Sequence, residues 1–159
     1  LEKSEKKIIL IGVSYALLDF IDNFSLSTKN LVIIETGGMK GRRKEITREE
    51  LHDKLKRGFN SNNIKSEYGM TELLSQAYSN TNGIFKSPPW LKILVREIND
   101  PLYVKSHGKG ALNFIDLANV NSCSFIASDD IGEVYRDSSF KVLGRLSNSE
   151  IRGCNLMFN

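Results

Sequence analysis

With 159 residues, the chain has the size of one domain or of one domain with a small satellite. Its 40% hydrophobic and 26% charged residues are ordinary for a globular protein and exclude wholesale disorder. A net charge of +3 is too small to demand a nucleic acid partner, and no apolar run approaches the roughly 20 residues that span a bilayer. Two cysteines exclude a disulfide scaffold and favour the cytoplasm, and the absence of an initiator Met suggests a segment of a longer protein.

The first half of the chain alternates strand and helix patterns. Three short runs predict strands, at 6–13, 31–35 and 64–68. The first two are continuously apolar, which is typical of strands buried on both faces of a parallel sheet. Ser14 is placed to cap a first helix, Thr47 and Glu50 have capping-box spacing before a second helix that ends near Phe59, and a short helix is predicted from Thr71. This alternation predicts an α/β fold with βαβ units and a mainly parallel sheet.

The second half of the chain changes character. Short strand patterns separated by turn residues follow one another at 91–98, 111–117, 124–128, 132–135 and 140–143. They predict a small antiparallel β appendage, either a meander or a small open barrel. We place the boundary near Pro88 and Pro89, which gives an α/β subdomain over 1–88 and a β-rich subdomain over 89–159.

The segment EYGMTE, from Glu67 to Glu72, lies where a strand ends and a helix is predicted to begin. In open α/β sheets, ligands bind outside the carboxyl ends of strands, and the free N–H groups of a helix start suit a phosphate. Here Thr71 can donate a hydroxyl to phosphate, the Glu72 carboxylate suits Mg²⁺, and Tyr68 offers a flat face to a base. The same spacing also fits a plain glycine turn with Thr71 as a helix cap.

The segment after the second strand combines glycines with basic residues. Gly37 and Gly38 let the backbone approach a flat ligand closely, or simply form a flexible loop. The basic run at 40–44 can bind anions, although a solvated loop is favoured over a nucleic acid site.

Two acidic residues, Asp129 and Asp130, are predicted to form a turn between two strands. One carboxylate in such a place can accept hydrogen bonds from a ribose diol, and an ordinary acidic turn is the alternative. Because neighbouring side chains of an extended chain point to opposite faces, only one of the two should face a ligand. Arg145, after the last strand, can reach ribose or phosphate oxygens or form a surface salt bridge.

The cysteines and histidines have different expected roles. Cys154 lies two residues after Arg152, which favours a thiolate that could accept an acyl group, although most free cysteines are small buried residues. Cys123 is interpreted as such a buried residue. His52 and His107 are both predicted at the surface, and two isolated histidines do not make a zinc site.

The order of these motifs resembles that of adenylate-forming enzymes, which activate a carboxylic acid with ATP to an acyl-AMP and release pyrophosphate. The phrases IIETGGMKGRRKEIT, SEYGMTELLSQAYS and GRLSNSEIRGCNL resemble in particular the LuxE-type acyl-protein synthetases, from residue 31 to the end of the chain. Nothing before residue 31 matches the family's Ser/Thr/Gly-rich phosphate loop, and the mobile C-terminal domain of many acyl-CoA ligases has no counterpart. The resemblance therefore implies the C-terminal half of such an enzyme, with the remainder of the same enzyme chain as its partner.

The resemblance also implies a nucleotide and acyl pocket that is built from all of these motifs: Gly37, Gly38, Tyr68, Gly69, Thr71, Asp130 and Arg145. In such a pocket Tyr68 would stack on adenine, Thr71 would hold phosphate, and Glu72 would hold magnesium. Asp130, rather than its neighbour, matches the carboxylate that binds ribose, and Arg145 matches the arginine that contacts the nucleotide.

In the acyl-protein synthetases of bacterial bioluminescence, the acyl group passes to a cysteine near the C-terminus and then to an acyl reductase. Cys154 is the cysteine at a matching place, so Thr71, Glu72 and Cys154 are the expected catalytic residues. The resemblance implies activation of a fatty or other carboxylic acid with ATP and Mg²⁺, and an acyl reductase as partner. Two alternatives stay open: an acyl-CoA ligase of the phenylacetate type, and a non-catalytic nucleotide-binding or interaction module.

Overall fold

The computed structural model describes residues 6–26, 28, 30–79 and 81–146. The chain forms two compact units, with the boundary between Glu67 and Tyr68. The sequence instead predicts a boundary near Pro88. The two differ because strands that the sequence pattern does not predict, at 77–79 and 84–86, pair within the second unit.

The first unit is built on a parallel sheet that carries two helices. Its elements are β1 (Ile8–Val13), α1 (Ser14–Asn23), β2 (Leu31–Thr36), α2 (Arg48–Phe59) and β3 (Ile64–Tyr68). Strand β2 lies in the centre, and its Ile33 pairs with Leu10 of β1 and with Ile64 of β3. The last residue of β3 begins the second unit. The alternation of strand and helix thus produces the parallel sheet that the sequence predicts for this part of the chain.

Apolar side chains of both helices form the core of the first unit against the sheet. The fully buried members include Ile33, Leu51, Leu55 and Phe59. Helix α2 begins as the capping box predicts, because Thr47 Oγ1 accepts a hydrogen bond from Glu50 N at 3.2 Å. It ends at Asn60, which takes the left-handed conformation with φ 48° that commonly closes helices.

Two details of the first unit differ from the prediction. Ser14 does not cap α1, because the N-cap position is Val13 and the Ser14 side chain is buried. Strand β1 is not buried on both faces, since Ile9 and Ile11 are 57% and 56% exposed while Leu10 packs against the core. The continuous apolar run therefore alternates in burial, as a strand with one covered face does.

The second unit is an antiparallel sheet. Its strands are β4 (Ala77–Ser79), β5 (Ile84–Lys86), β6 (Leu91–Arg96), β7 (Val104–Lys105), β8 (Gly108–Asp116), β9 (Phe125–Val134) and β10 (Phe140–Arg145). They follow one another across the sheet in the order β4, β5, β10, β9, β8, β6, β7. The prediction of a mainly parallel sheet therefore holds for the first unit only, and the antiparallel part is larger than an appendage.

One strand of the second unit corrects the predicted acidic turn. Residues 124–128 and 132–135 are expected to be separate strands, but β9 runs without interruption through Asp129 and Asp130. Gly132 in this strand permits tight packing, because a Cβ built there would lie 2.7 Å from the Lys141 carbonyl oxygen and 2.7 Å from Leu112 Cδ2. Glycine thus keeps β9 close to both of its neighbours.

Among the residues that the structure describes, no helix is long and apolar enough to cross a membrane.

Candidate active site

Three residues that the sequence nominates for nucleotide binding are in direct contact in the second unit. The Tyr68 hydroxyl donates a hydrogen bond to Asp130 Oδ2 at 2.6 Å, and Arg145 Nε lies 3.1 Å from Asp130 Oδ1. Asp130 is only 7% exposed, so its charge is balanced by these partners more than by water. The arrangement is an oriented carboxylate with one cationic and one hydroxyl neighbour.

The pairing of β9 with β10 produces this contact. Asp130 is the register partner of Arg145, and the register shifts between Val142 and Gly144 at an irregularity typical of a β-bulge. Bulges re-aim the side chains that follow them, and Gly144 takes the φ of 150° that this one requires. The Asp129 side chain is 49% exposed, whereas that of Asp130 is 10% exposed, as expected for neighbours on opposite faces of a strand.

The ring of Tyr68 belongs to the aromatic core of the second unit. It is 5% exposed, and its centroid lies 5.6 to 5.9 Å from those of Phe85, Phe114 and Phe140. Stacking of this ring on adenine remains a prediction, and it would require the ring to leave these three neighbours. In the structure the hydroxyl, rather than the ring face, reaches the Asp130 carboxylate.

The segment after Gly69 does not form the predicted helix. Thr71 and Glu72 lie in an exposed turn, and Leu73 N donates to Met70 O at 3.1 Å. The backbone beyond this turn is bound by side chains of another segment, so it does not need the hydrogen bonds of a helix. The argument that a helix start would attract phosphate therefore does not apply here, and the Thr71 hydroxyl and Glu72 carboxylate are the polar groups that the turn presents.

The glycine pair lies in the first unit, directly after β2. Gly37 has a φ of 66°, which favours glycine. The buried Ser14 Oγ lies 2.9 Å from the Gly37 carbonyl oxygen and 3.1 Å from Glu35 Oε2. Ser14 thus holds the start of the glycine turn instead of capping its helix.

A buried polar cluster around Glu35 is the feature of the first unit that the sequence analysis missed. His52 Nε2 lies 3.3 Å from Glu35 Oε1 and 3.0 Å from Ser66 Oγ, and the Ser66 hydroxyl donates to the same carboxylate oxygen. Arg48 Nε is 3.9 Å from Glu35 Oε1. His52 is therefore buried and not at the surface. Its spacing along α2 from the buried Leu55 is the helical signal that could have revealed this.

Acidic residues of α1 partly neutralise the charge of the basic run at 40–44, here called the basic loop. Arg43 forms ion pairs with Asp19 and with Asp22, and hydrogen bonds to both carboxylates raise the pKa of its guanidinium. Arg42 lies over the Tyr15 ring, with 5.1 Å between the guanidinium carbon and the ring centroid. These contacts favour the interpretation of a solvated loop over a nucleic acid site.

The two cysteines differ in what the structure says of them. Cys123 is exposed because it precedes β9 and does not lie inside the strand. Its Sγ donates a hydrogen bond to Phe125 O at 3.2 Å. This corrects the prediction of a buried residue. Cys154 and Arg152 lie outside the described residues.

The described residues offer few protein ligands to a metal ion. Among the described residues, no group of three or more His, Cys, Asp or Glu side chains could hold a metal ion. A single exposed carboxylate such as Glu72 fits Mg²⁺, because this ion commonly keeps several waters and takes one or two carboxylates together with phosphate oxygens. The donor set therefore suits a magnesium ion that arrives with a nucleotide.

Glu45, which follows the basic loop, lines a cavity of about 740 Å³ together with Leu18 and Ile46. Its Oε2 atom is buried without a hydrogen-bond partner among the described residues. Burial raises the pKa of Glu45 above its usual value, although a hydrogen bond with the Met39 backbone opposes the shift. The stability that this group contributes is therefore present below its unfolded pKa of about 4.3 and is lost as the pH rises through the folded pKa.

We accordingly expect Glu45→Gln to stabilise the chain at neutral pH, because the glutamine carries no charge to desolvate. The side chain as a whole is only partly buried, and screening by the surrounding solvent limits the gain to roughly a few tenths of a kcal/mol. Urea unfolding of the two proteins between about pH 3 and pH 8 measures this effect. The advantage of the variant should shrink as the pH falls and Glu45 becomes protonated. A difference that stays constant over the whole range would show that the ionisation is not its cause.

Comparison with known proteins defines the class. The family model for acyl-protein synthetase, LuxE, matches residues 1–159, so the chain belongs to this family. No curated protein matches the chain.

Solved structures share its fold at low identity. O-succinylbenzoate coenzyme A synthetase (MenE) from Bacillus subtilis, solved with ATP and magnesium, is 18% identical with a TM-score of 0.60 over 91% of this chain. Coronafacic acid ligase from Pectobacterium brasiliense is 19% identical, with a TM-score of 0.60 over 86% of this chain. ATP-bound MatB from Rhodopseudomonas palustris is 13% identical, with a TM-score of 0.60 over 86% of this chain. The chain spans only 33%, 29% and 30% of these proteins, respectively.

Proposed function

We propose that the protein containing this chain activates a carboxylic acid with ATP, forming an acyl-adenylate and releasing pyrophosphate. Membership of the acyl-protein synthetase family and a fold shared with acid ligases support this proposal. The observation that carries it is the Asp130 carboxylate, held between the Tyr68 hydroxyl and Arg145.

In the first step, a carboxylate oxygen of the acid attacks the α-phosphorus of ATP. The bond from that phosphorus to the bridging oxygen breaks, and pyrophosphate leaves. Asp130 would accept hydrogen bonds from the ribose diol, since a carboxylate has about four lone-pair sites and its two known partners occupy only part of them. Arg145 would offer its rigid fork to nucleotide oxygens, so that catalysis rests mainly on positioning and electrostatics.

The glycine turn and the exposed turn have proposed roles of their own. Gly37 and Gly38 would line the adenine and acyl pocket, and Gly69 would let the backbone pass close to the nucleotide. Thr71 would donate its hydroxyl to phosphate, and Glu72 would be the protein ligand of Mg²⁺. When bound, the ion would neutralise charge that develops on the phosphates.

In the second step, we propose that the Cys154 thiolate attacks the carbonyl carbon of the acyl-adenylate. The bond from that carbon to the phosphate oxygen breaks, and AMP leaves with the electron pair. The acyl group would then pass from the thioester to an acyl reductase. A fatty acid is the proposed substrate. A reducing cytoplasm would keep both Cys154 and the exposed Cys123 as thiols.

Tyr68→Phe tests the observation that carries the proposal. This change keeps the ring among its aromatic neighbours and removes the hydroxyl that hydrogen-bonds to Asp130. The hydroxyl holds the carboxylate that would accept hydrogen bonds from ribose, so its loss should misorient that acceptor and raise the KM for ATP in pyrophosphate exchange roughly tenfold.

The matched control is Tyr135→Phe in the same unit. Burial raises the pKa of the Tyr135 hydroxyl, and so does Glu133, with which the hydroxyl forms a hydrogen bond. The control should keep the KM of the unmodified protein. If Tyr68→Phe kept it as well, the Tyr68 hydroxyl would have no part in nucleotide binding.

A further inference from the structure

The turn that carries Thr71 and Glu72 is held by a buried amide from another segment of the second unit. Asn119 Nδ2 donates a hydrogen bond to the Glu72 carbonyl oxygen at 2.6 Å, and Asn119 Oδ1 accepts one from Leu74 N at 2.9 Å. Asn119 ends the short 3-10 turn Leu117–Asn119 after β8 and is 3% exposed. One side chain thus fixes the backbone on both sides of a single residue.

Asp116 provides a second anchor one residue further along the turn. Its Oδ2 accepts a hydrogen bond from Ser75 N at 2.9 Å, and its Oδ1 accepts one from Ser75 Oγ at 2.7 Å. Ala118 N donates to the same Oδ1 at 3.0 Å, and Trp90 Nε1 donates to Ser75 Oγ at 3.0 Å. Asp116 is completely buried, and its oxygens are satisfied by these donors.

These contacts replace the helix that the sequence predicts. In a helix, the backbone N–H and C=O groups after Thr71 would hydrogen-bond to one another and would align with the helix axis. Here Asn119 and Asp116 satisfy Leu74 N and Ser75 N instead. A buried network whose members are all paired specifies one conformation, so the turn is held in a defined orientation.

We propose that Asn119, supported by Asp116, is a positioning residue that aims Thr71 and Glu72 at the phosphates and magnesium of the bound nucleotide. This inference rests on the proposed function. Asn119 bonds to the Glu72 backbone and acts through it, so its loss moves the carboxylate without removing it. A displacement of about 1 Å in a catalytic group can lower the rate roughly 100-fold.

Asn119→Ala in the full-length protein tests the inference by pyrophosphate exchange at varied Mg²⁺ and varied acid, and by calorimetric titration with ATP at varied Mg²⁺ in the absence of acid. In the titration the variant should need roughly tenfold more Mg²⁺ to bind ATP. We expect the Mg²⁺ concentration for half-maximal rate to rise and kcat to fall, each by roughly tenfold or more. The KM for the acid should stay unchanged, which a general loss of structure would not produce. Asn113→Ala is the matched control, because Asn113 Oδ1 accepts from Arg96 Nη1 at 2.7 Å instead of holding the turn.

Equal Mg²⁺ dependence in Asn119→Ala and Asn113→Ala would overturn the inference. Should Asn119→Ala not fold, Asp116→Asn is the second variant, since the amide keeps one acceptor oxygen and turns a donor toward Ser75 N. It should show the same shift in Mg²⁺ dependence. If neither variant folded, Asn119 and Asp116 would have a structural role only, and the inference would fail.

Glu72→Gln separates this inference from the proposed function on which it rests. If Glu72→Gln is impaired and Asn119→Ala is not, the positioning role fails while the metal role of Glu72 stands. If Glu72→Gln exchanges pyrophosphate normally, the proposed metal role fails whatever Asn119→Ala shows.

Discussion

Glu72→Gln is expected to lower the rate of pyrophosphate exchange by at least roughly 100-fold while leaving the thermal unfolding midpoint in place. The side chain is exposed in its turn, so exchanging a carboxylate for an amide opens no cavity. The chemical loss is large because Mg²⁺ prefers charged oxygen ligands, and this turn would supply the protein's contribution. Exchange of labelled pyrophosphate into ATP, at saturating acid, measures the effect.

Glu97→Gln is the matched control for this change. Glu97 is another exposed carboxylate of the second unit, and its Oε2 lies 3.8 Å from Lys105 Nζ. Exposed pairs of this kind contribute about 0–1 kcal/mol, so the control should behave like the unmodified protein. A Glu72→Gln protein as active as this control would remove the proposed metal ligand.

Cys154→Ser should abolish the acyl thioester and leave pyrophosphate exchange intact. Adenylation precedes the transfer step and does not use the thiol, so the two activities separate in this variant. After incubation with labelled fatty acid and ATP, the protein should carry no hydroxylamine-sensitive label. The measurement is gel fluorography of the full-length protein with and without hydroxylamine.

Cys123→Ser provides the comparison that the chain itself offers, because Cys123 is also a thiol and is exposed. It should be labelled as strongly as the unmodified protein. Label that persists in Cys154→Ser and disappears in Cys123→Ser would move the acceptor role to Cys123. Transfer to free coenzyme A, with no label on either cysteine, would select the acyl-CoA ligase of the phenylacetate type.

The parts of the fold set by local patterns were predictable from the sequence. Helix α2 follows its capping box at Thr47 and Glu50, and strands β1 and β2 follow their apolar runs. Strands β4 and β5 were not predictable, because each has only three residues and β5 also pairs with β10, more than fifty residues away. The large antiparallel sheet of the second unit was underestimated for the same reason.

The candidate site divides in a similar way. The contact of Asp130 with Arg145 depends on a strand register and a bulge. Strand alternation predicted only that one carboxylate of the acidic pair would face a ligand, and the family resemblance indicated Asp130. The expected helix from Thr71 was wrong because Asn119 and Asp116, more than forty residues away, bind its backbone. His52 was misplaced because a polar residue on the inner side of α2 has partners on β2 and β3.

The close ion pair of Asp130 and Arg145 also constrains how this family can diverge. Both side chains are 10% exposed, so losing either one removes the ion-pair partner of a charge that is held away from water, at a cost of about 3–5 kcal/mol. A change at one position is therefore selected against unless the other changes with it. In related sequences the two positions should covary, with joint replacements more frequent than independent ones.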